Sequence, residues 1–154
     1  MGYSILYILA AKKALAVAEQ MRIAIIVNPE LPVGLIANTT GAVGIGLAAK
    51  FPQLAGMTLS DAAGKEIDVS SKLPVPILQA NASQMREVLL KALALTDERA
   101  IVPFPAFARA MHSFQDYEVA FPLRSLIDEQ LDGLGLVGPE KWVRSLTGSL
   151  KLLR

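Results

Sequence analysis

The sequence predicts a three-layer α/β domain, a sheet with helices on both faces. Two observations carry the prediction. Short apolar runs rich in β-branched residues alternate four times with helical stretches, the pattern of a sheet wrapped by helices. The chain has 154 residues, 53% hydrophobic and 19% charged, against a usual charged share of about 25%. That composition suits one folded domain and rules out intrinsic disorder.

Taken in order, residues 23–27 (Ile-Ala-Ile-Ile-Val) read as a strand buried on both faces. Asn28-Pro29-Glu30-Leu31-Pro32 breaks it, and a helix of small residues is expected over 35–50, ended by Phe51-Pro52. Residues 56–72 are polar, with Asp61 and Gly64, and read as an irregular excursion or a short hairpin. A second strand is expected over 75–78, with Pro74 and Pro76 pointing to a sheet edge.

The next helix has the fullest set of signals. Asn81 can cap it, Gln84 follows three residues later, and Met85, Val88, Leu89, Ala92 and Leu93 form one apolar stripe. Residues 100–102 read as a third strand stopped by Pro103 and Pro105. Ser113 with Asp116 opens a helix carrying Phe114 and Tyr117 that Pro122 ends. Residues 134–137 read as the fourth strand. Pro139 fits the first turn of a last helix through Trp142, Val143 and Leu146, with Gly148 as its stop. The division expected is one domain over 21–154, opened by Met21. Residues 1–20 are read as an appended helix, with Ala14-Leu15-Ala16-Val17-Ala18 able to dock, or as an extension from a misassigned start.

Several chemistries are excluded by inventory. Zero cysteines remove thiolate nucleophiles, cysteine-held zinc and iron–sulfur clusters. The single histidine, His112, removes any site that needs two imidazoles. No metal and no cofactor is expected. A net charge of +1 is far from a nucleic-acid footprint. Residues 1–11 carry no charge but are too short to span a bilayer, which takes about twenty residues. Residues 31–49 are also uncharged, but Pro32, the polar Asn38-Thr39-Thr40 and four glycines favour a helix packed on a sheet. A soluble, cytoplasmic domain with no membrane contact is the expectation.

Gly133-Leu134-Gly135-Leu136-Val137-Gly138 matches the dinucleotide fingerprint, but its glycines fall within the expected strand and the sequence given ends sixteen residues later. The motif needs a strand-to-helix turn and an acidic residue about twenty positions on. It is therefore read as a strand whose glycines allow another backbone to approach. Gly41-Ala42-Val43-Gly44-Ile45-Gly46 lacks the Lys-Ser or Lys-Thr of a P-loop. Asp128, Glu129 and Asp132 read as a solvated acidic face and not as a cation site. His112 beside Ser113 reads as a surface or capping histidine, since adjacent residues rarely form a base–nucleophile pair.

Asn28, Asn38, Thr39 and Thr40 are the candidate ligand-binding residues, with His112 beside them as a fifth. They fall at a strand end and in the opening turns of a helix, where open α/β sheets hold ligands. The competing reading is that they satisfy backbone groups. Charge is uneven: residues 138–154 carry a net +3 and residues 112–132 a net −4. That asymmetry fits a phosphate contact or a complementary contact between two subunits of a homodimer.

The C-terminal residues carry a resemblance. Gly138-Pro139, Leu146-Thr147-Gly148 and Leu150-Lys151-Leu152-Leu153 look like the closing signature of type II peptidyl-tRNA hydrolases, and Asn28 to Gly34 stands where those proteins have their turn into a small-residue helix. The resemblance implies a three-layer α/β/α sandwich around a mixed four-stranded sheet, with transfer RNA as the partner. The chain is more similar still to a bacterial family of unknown function that shares this fold. Glu30-Leu31-Pro32, Gly34-Leu35, Ala37-Asn38, the strand Pro74-Val75-Pro76-Ile77-Leu78 and the ending Thr147-Gly148-Ser149-Leu150 carry that similarity.

The hydrolases use a lysine, an aspartate and a threonine. Here Leu35 and Ala37 stand at or beside the first place, Pro103 to Pro105 near the second and Gly133 near the third. None can activate water or stabilise charge. The sequence is therefore read as a small-ligand or partner-binding domain on this fold. A divergent hydrolase using His112, or a homodimeric interaction module, are the alternatives.

Overall fold

The computed structural model describes residues 5–10, 12, 20–94 and 98–154. The docking helix expected around residues 14–18 lies outside them. Residues 5–10 are helical, with Ile5, Leu6, Tyr7, Ile8 and Leu9 exposed.

Strand β1 (Met21–Val27) is the centre of the molecule. Side chains alternate across a strand, so its unbroken apolar run feeds two cores. Ile23, Ile25 and Val27 pack with Val43, Leu47 and Phe51 of helix α1 (Val33–Lys50) and its end. Ala24 and Ile26 pack with Met85, Val88 and Leu89 of α2 (Ala82–Leu93), and with Trp142 and Val143 of a later helix. The expectation of a strand buried on both faces holds.

The sheet has five strands, not four: β4 (Ile77–Gln79), β5 (Ala100–Pro105), β6 (Leu131–Pro139) and β7 (Lys151–Leu152) join β1 in the order β5-β6-β1-β4-β7. Only β1 and β4 run parallel; the other pairings are antiparallel. The extra strand β7 has two exposed residues and no pattern of its own. Residues 56–72 contain the hairpin alternative, β2 (Thr58–Ser60) with β3 (Glu66–Asp68), forming a separate two-stranded sheet. Asp61 Oδ1 accepts from the backbone N–H groups of Ala63 and Lys65 at its turn, and Gly64 takes φ of 77° there.

The edge expected from Pro74 and Pro76 is not found there. β4 lies between β1 and β7 and is no edge. β5 is one edge, with β7 the other, and it continues through Pro103 and Pro105 instead of stopping at Val102. Proline has no N–H to give, so it is tolerated where that position faces away from the neighbouring strand.

Helix α1 covers one face of the sheet, and α2 with α4 (Glu140–Thr147) the other. Asn81 and Gln84 form the reciprocal capping box expected of them. Helix α3 (Phe114–Ala120) starts at Ser113, whose hydroxyl accepts from the Asp116 N–H, and gives way to a short 3₁₀ turn containing Pro122.

The glycines of β6 make room for side chains more than for backbone. A Cβ on Gly133 would collide with Thr39, one on Gly135 with Val43, and one on Gly138 would stand 2.7 Å from the Trp142 ring. The whole run from Leu131 to Gly138 is buried, so the fingerprint lies within a strand and offers no cradle to a dinucleotide.

Candidate functional site

Two features are found around β5 and β6. The first is a β-bulge. Phe104 pairs with Gly133 but Pro105 pairs with Leu131, which leaves Asp132 as the extra residue. Leu131 and Leu134 both pack into the core beneath α2 and α4, although three steps along a regular strand would put them on opposite faces. Bulges re-aim a side chain in this way and recur beside active sites.

The extra residue is a carboxylate with 0% exposure. A buried charge must be paired, and Asp132 is paired with Arg109, from the 3₁₀ turn Ala106–Ala110 that follows β5. The Arg109 Nε lies 2.7 Å from Oδ2, and Nη2 donates to Oδ1 at 3.2 Å. This corrects the expectation of a solvated acidic face. Asp128 is solvated, facing Arg86 at 3.6 Å; Glu129 is partly covered and lies 3.1 Å from Arg124; Asp132 is interior. The net −4 of residues 112–132 is thus offset in space by Arg86 and Arg109, which lie outside that stretch.

The second feature is an open apolar groove of about 740 Å³ between α1 and the β5 edge. Gly46 brings α1 close to the strand: a Cβ there would sit 3.0 Å from Val102. Ala42 and Ile45 complete that wall, while Met111, Phe114, Tyr117 and Phe121 form the other. The aromatic side is held by mutual packing. Tyr117 stacks on Phe107 with centroids 5.6 Å apart and lies 5.5 Å from Phe121, and Arg124 covers Phe107 at 4.2 Å. Burial pushes the Tyr117 hydroxyl pKa up from its ordinary value of 10.0.

Phe104 belongs to the groove wall and is paired with Gly133, next to Asp132; Ala108 belongs to it and precedes Arg109. Neither Arg109 nor Asp132 itself lines the groove. Apolar walls with a few placed polar groups are the usual make-up of a small-molecule site.

The five residues singled out from sequence divide among these features. Asn28 ends β1 beside the bulge: its N–H donates to the Asp132 carbonyl, and its side chain accepts from the Glu30 N–H at 3.0 Å. Thr39 is buried over Gly133. Thr40 donates its hydroxyl to the Ile36 carbonyl at 2.8 Å. Asn38 is exposed on α1. His112 is exposed between Met111 and Ser113, both groove residues. Asn28 and Thr39 come together around Asp132 and Gly133, whereas His112 belongs to the groove rim. Arg109 was missed, although it is the lone charge within Ala106-Phe107-Ala108-Arg109-Ala110-Met111. Among the described residues no group of three His, Asp or Glu side chains is gathered as a metal site.

Fold and site together define a mixed α/β domain with an open apolar groove at a sheet edge, and a buried aspartate paired with a half-exposed arginine. Residues 21–154 match the family described as Protein of unknown function (DUF2000), and the chain belongs to that family. A solved structure of a protein of unknown function, Atu0240 from Agrobacterium tumefaciens strain C58, is similar in fold. Its TM-score is 0.78 at 20% identity, over 86% of this chain and 97% of that one. No curated protein matches the chain.

Proposed function

We propose that the chain is a small-ligand-binding domain with the fold of the type II peptidyl-tRNA hydrolases and without their catalysis. The open apolar groove between α1 and β5 carries this reading. The places of the hydrolase residues support it from the other side. Leu35 and Ala37 lie on α1, Pro103 and Pro105 stand in the β5 edge, and Gly133 lies under Thr39. In this reading His112 lies at the groove mouth, while Asn28 and Thr39 support the bulge and Asn38 and Thr40 flank it on α1. The domain acts in the cytoplasm, and α1 serves as a layer of the domain. It is apolar and long enough to cross a membrane by length and composition, but its stripe Thr39, Val43 and Leu47 is used against β6 and β1.

The test is methyl NMR on a panel of apolar metabolites, read at Met111 and Ile45, beside release of the peptidyl group from N-blocked aminoacyl-tRNA. Groove methyl shifts with no turnover above background are expected. Turnover comparable to an active type II hydrolase, or ligands that shift only residues elsewhere, would overturn the reading.

A second reading, a homodimer, is favoured by one observation. The outward face of α1 and the groove rim expose Val33 (84%), Ile45 (74%) and Phe114 (67%) without a charge among them. The proposed occupant is a second copy related by a two-fold axis. Light scattering at high concentration should give twice the chain mass, reduced to one by Ile45→Lys; a monomeric wild type would remove this reading.

A further inference from the structure

The helical residues 5–10 lie outside the groove and outside both cores. Ile5, Leu6, Tyr7, Ile8 and Leu9 are each between 49% and 78% exposed. Among the described residues no other run of five consecutive large apolar side chains is left in water. Contiguous exposed apolar surface of this kind marks a contact with protein or membrane. One turn of helix takes about 3.6 residues, so five in a row leave no polar side to the cylinder. A groove or a second helix covers one stripe of such a helix and leaves the rest wet. The boundary between lipid headgroups and acyl chains can enclose more of it.

We infer that residues 5–10 hold the protein to the surface of a bilayer containing anionic lipid, with Lys12 and Lys13 at its phosphates. Two further observations support this occupant. Six helical residues are about 9 Å long, far too short to span, but matched to the roughly 5–10 Å that a surface-bound helix is buried. Charge is complementary: the first charges after the apolar run are two lysines, and Lys12 is helical and exposed. Long lysine stems let the ammonium groups reach the headgroups while the apolar turn stays below them. Attraction to anionic lipid then adds to the apolar contact. The inference replaces the expectation of no membrane contact and is independent of the groove.

The inference is tested by co-sedimenting the full chain with vesicles. Phosphatidylcholine mixed with anionic phosphatidylglycerol is expected to bind it about tenfold more tightly than phosphatidylcholine alone. Leu6→Asp/Leu9→Asp should abolish binding to both. These two side chains are exposed and belong to neither core, so the variant should keep the wild-type far-UV circular dichroism. Lys12→Glu/Lys13→Glu should remove the preference for anionic lipid, and Ile45→Lys on the outward face of α1 should bind like wild type. A wild type that stays in solution with both vesicles, or unchanged binding by Leu6→Asp/Leu9→Asp, would overturn the inference. Loss of binding in Ile45→Lys alone would move the contact to α1 and overturn it too. Equal binding to the two vesicles would overturn the anionic partner. A lipid-free dimer by light scattering that Leu6→Asp/Leu9→Asp, and not Ile45→Lys, reduces to a monomer would give the segment to a second copy instead.

Discussion

Gly135 of β6 lies directly beneath Val43 of α1, so closely that even a methyl group on the glycine would collide with it. The contact sets how near the helix comes to the sheet. Leu47, whose Cδ1 would stand 3.0 Å from that methyl, leaves no room to give way. Gly41, on the same helix, has nothing within 4 Å of where its Cβ would be.

These two glycines should respond oppositely to the same substitution. Gly135→Ala overpacks a buried layer and is expected to cost about 2 kcal/mol. Gly41→Ala lowers the entropy of the unfolded chain in an open helical position and should stabilise by about 0.5 kcal/mol. Urea unfolding of both variants gives the signs; a neutral Gly135→Ala would show that α1 slides freely over β6.

The Arg109–Asp132 pair should be asymmetric. Arg109→Ala leaves a carboxylate with no exposure and no partner, and is expected to cost about 3 kcal/mol. Asp132→Asn leaves an arginine that can turn to water, so its cost should be about 1 kcal/mol. Arg109→Met/Asp132→Leu is expected to lie within about 1 kcal/mol of wild type, because well-packed apolar groups replace such pairs at little loss. Equal costs for the two single variants in urea would contradict the burial difference.

Tyr117 makes stability depend on alkaline pH. Burial raises its folded-state pKa above 10.0, so the folded protein holds the proton longer than the unfolded chain does. The stability linked to it is complete below pH 10 and is lost as pH rises from there through the folded-state value. Tyrosinate absorbance should show one of the three tyrosines titrating late. Tyr117→Phe should remove the late step and this part of the alkaline loss of stability; an unchanged titration would place a different tyrosine there.

Much of this architecture is legible in the residues. β1 declares itself by five consecutive apolar residues, α2 by its capping box and stripe, and the last helix by Pro139, Trp142 and Gly148. The misreadings share one origin. Pro74 and Pro76 say only that an N–H is missing, and the same is true of Pro103 and Pro105. Whether the first two flank an edge depends on β7, whose two residues pair with β4, Ile77 offering its carbonyl to Leu153 just beyond them.

The candidate site was less legible. Asn28, Asn38, Thr39 and Thr40 stand out because polar residues at a strand end and helix start are conspicuous. The groove draws on residues from 42 to 121, none of which forms a motif with its chain neighbours. Arg109 and Asp132 are 23 residues apart, and they meet only because the antiparallel pairing of β5 with β6 brings the turn after one beside the start of the other.

By itself, then, the sequence determined the α/β class, the central strand, the two best-signalled helices and the absence of cysteine chemistry. Each of these follows from local periodicity, capping or composition, which act over a few residues. The tertiary structure alone decided the fifth strand, the edge, the burial of Asp132 and the groove, because pairing register and side-chain burial depend on neighbours that the chain brings together only when it folds.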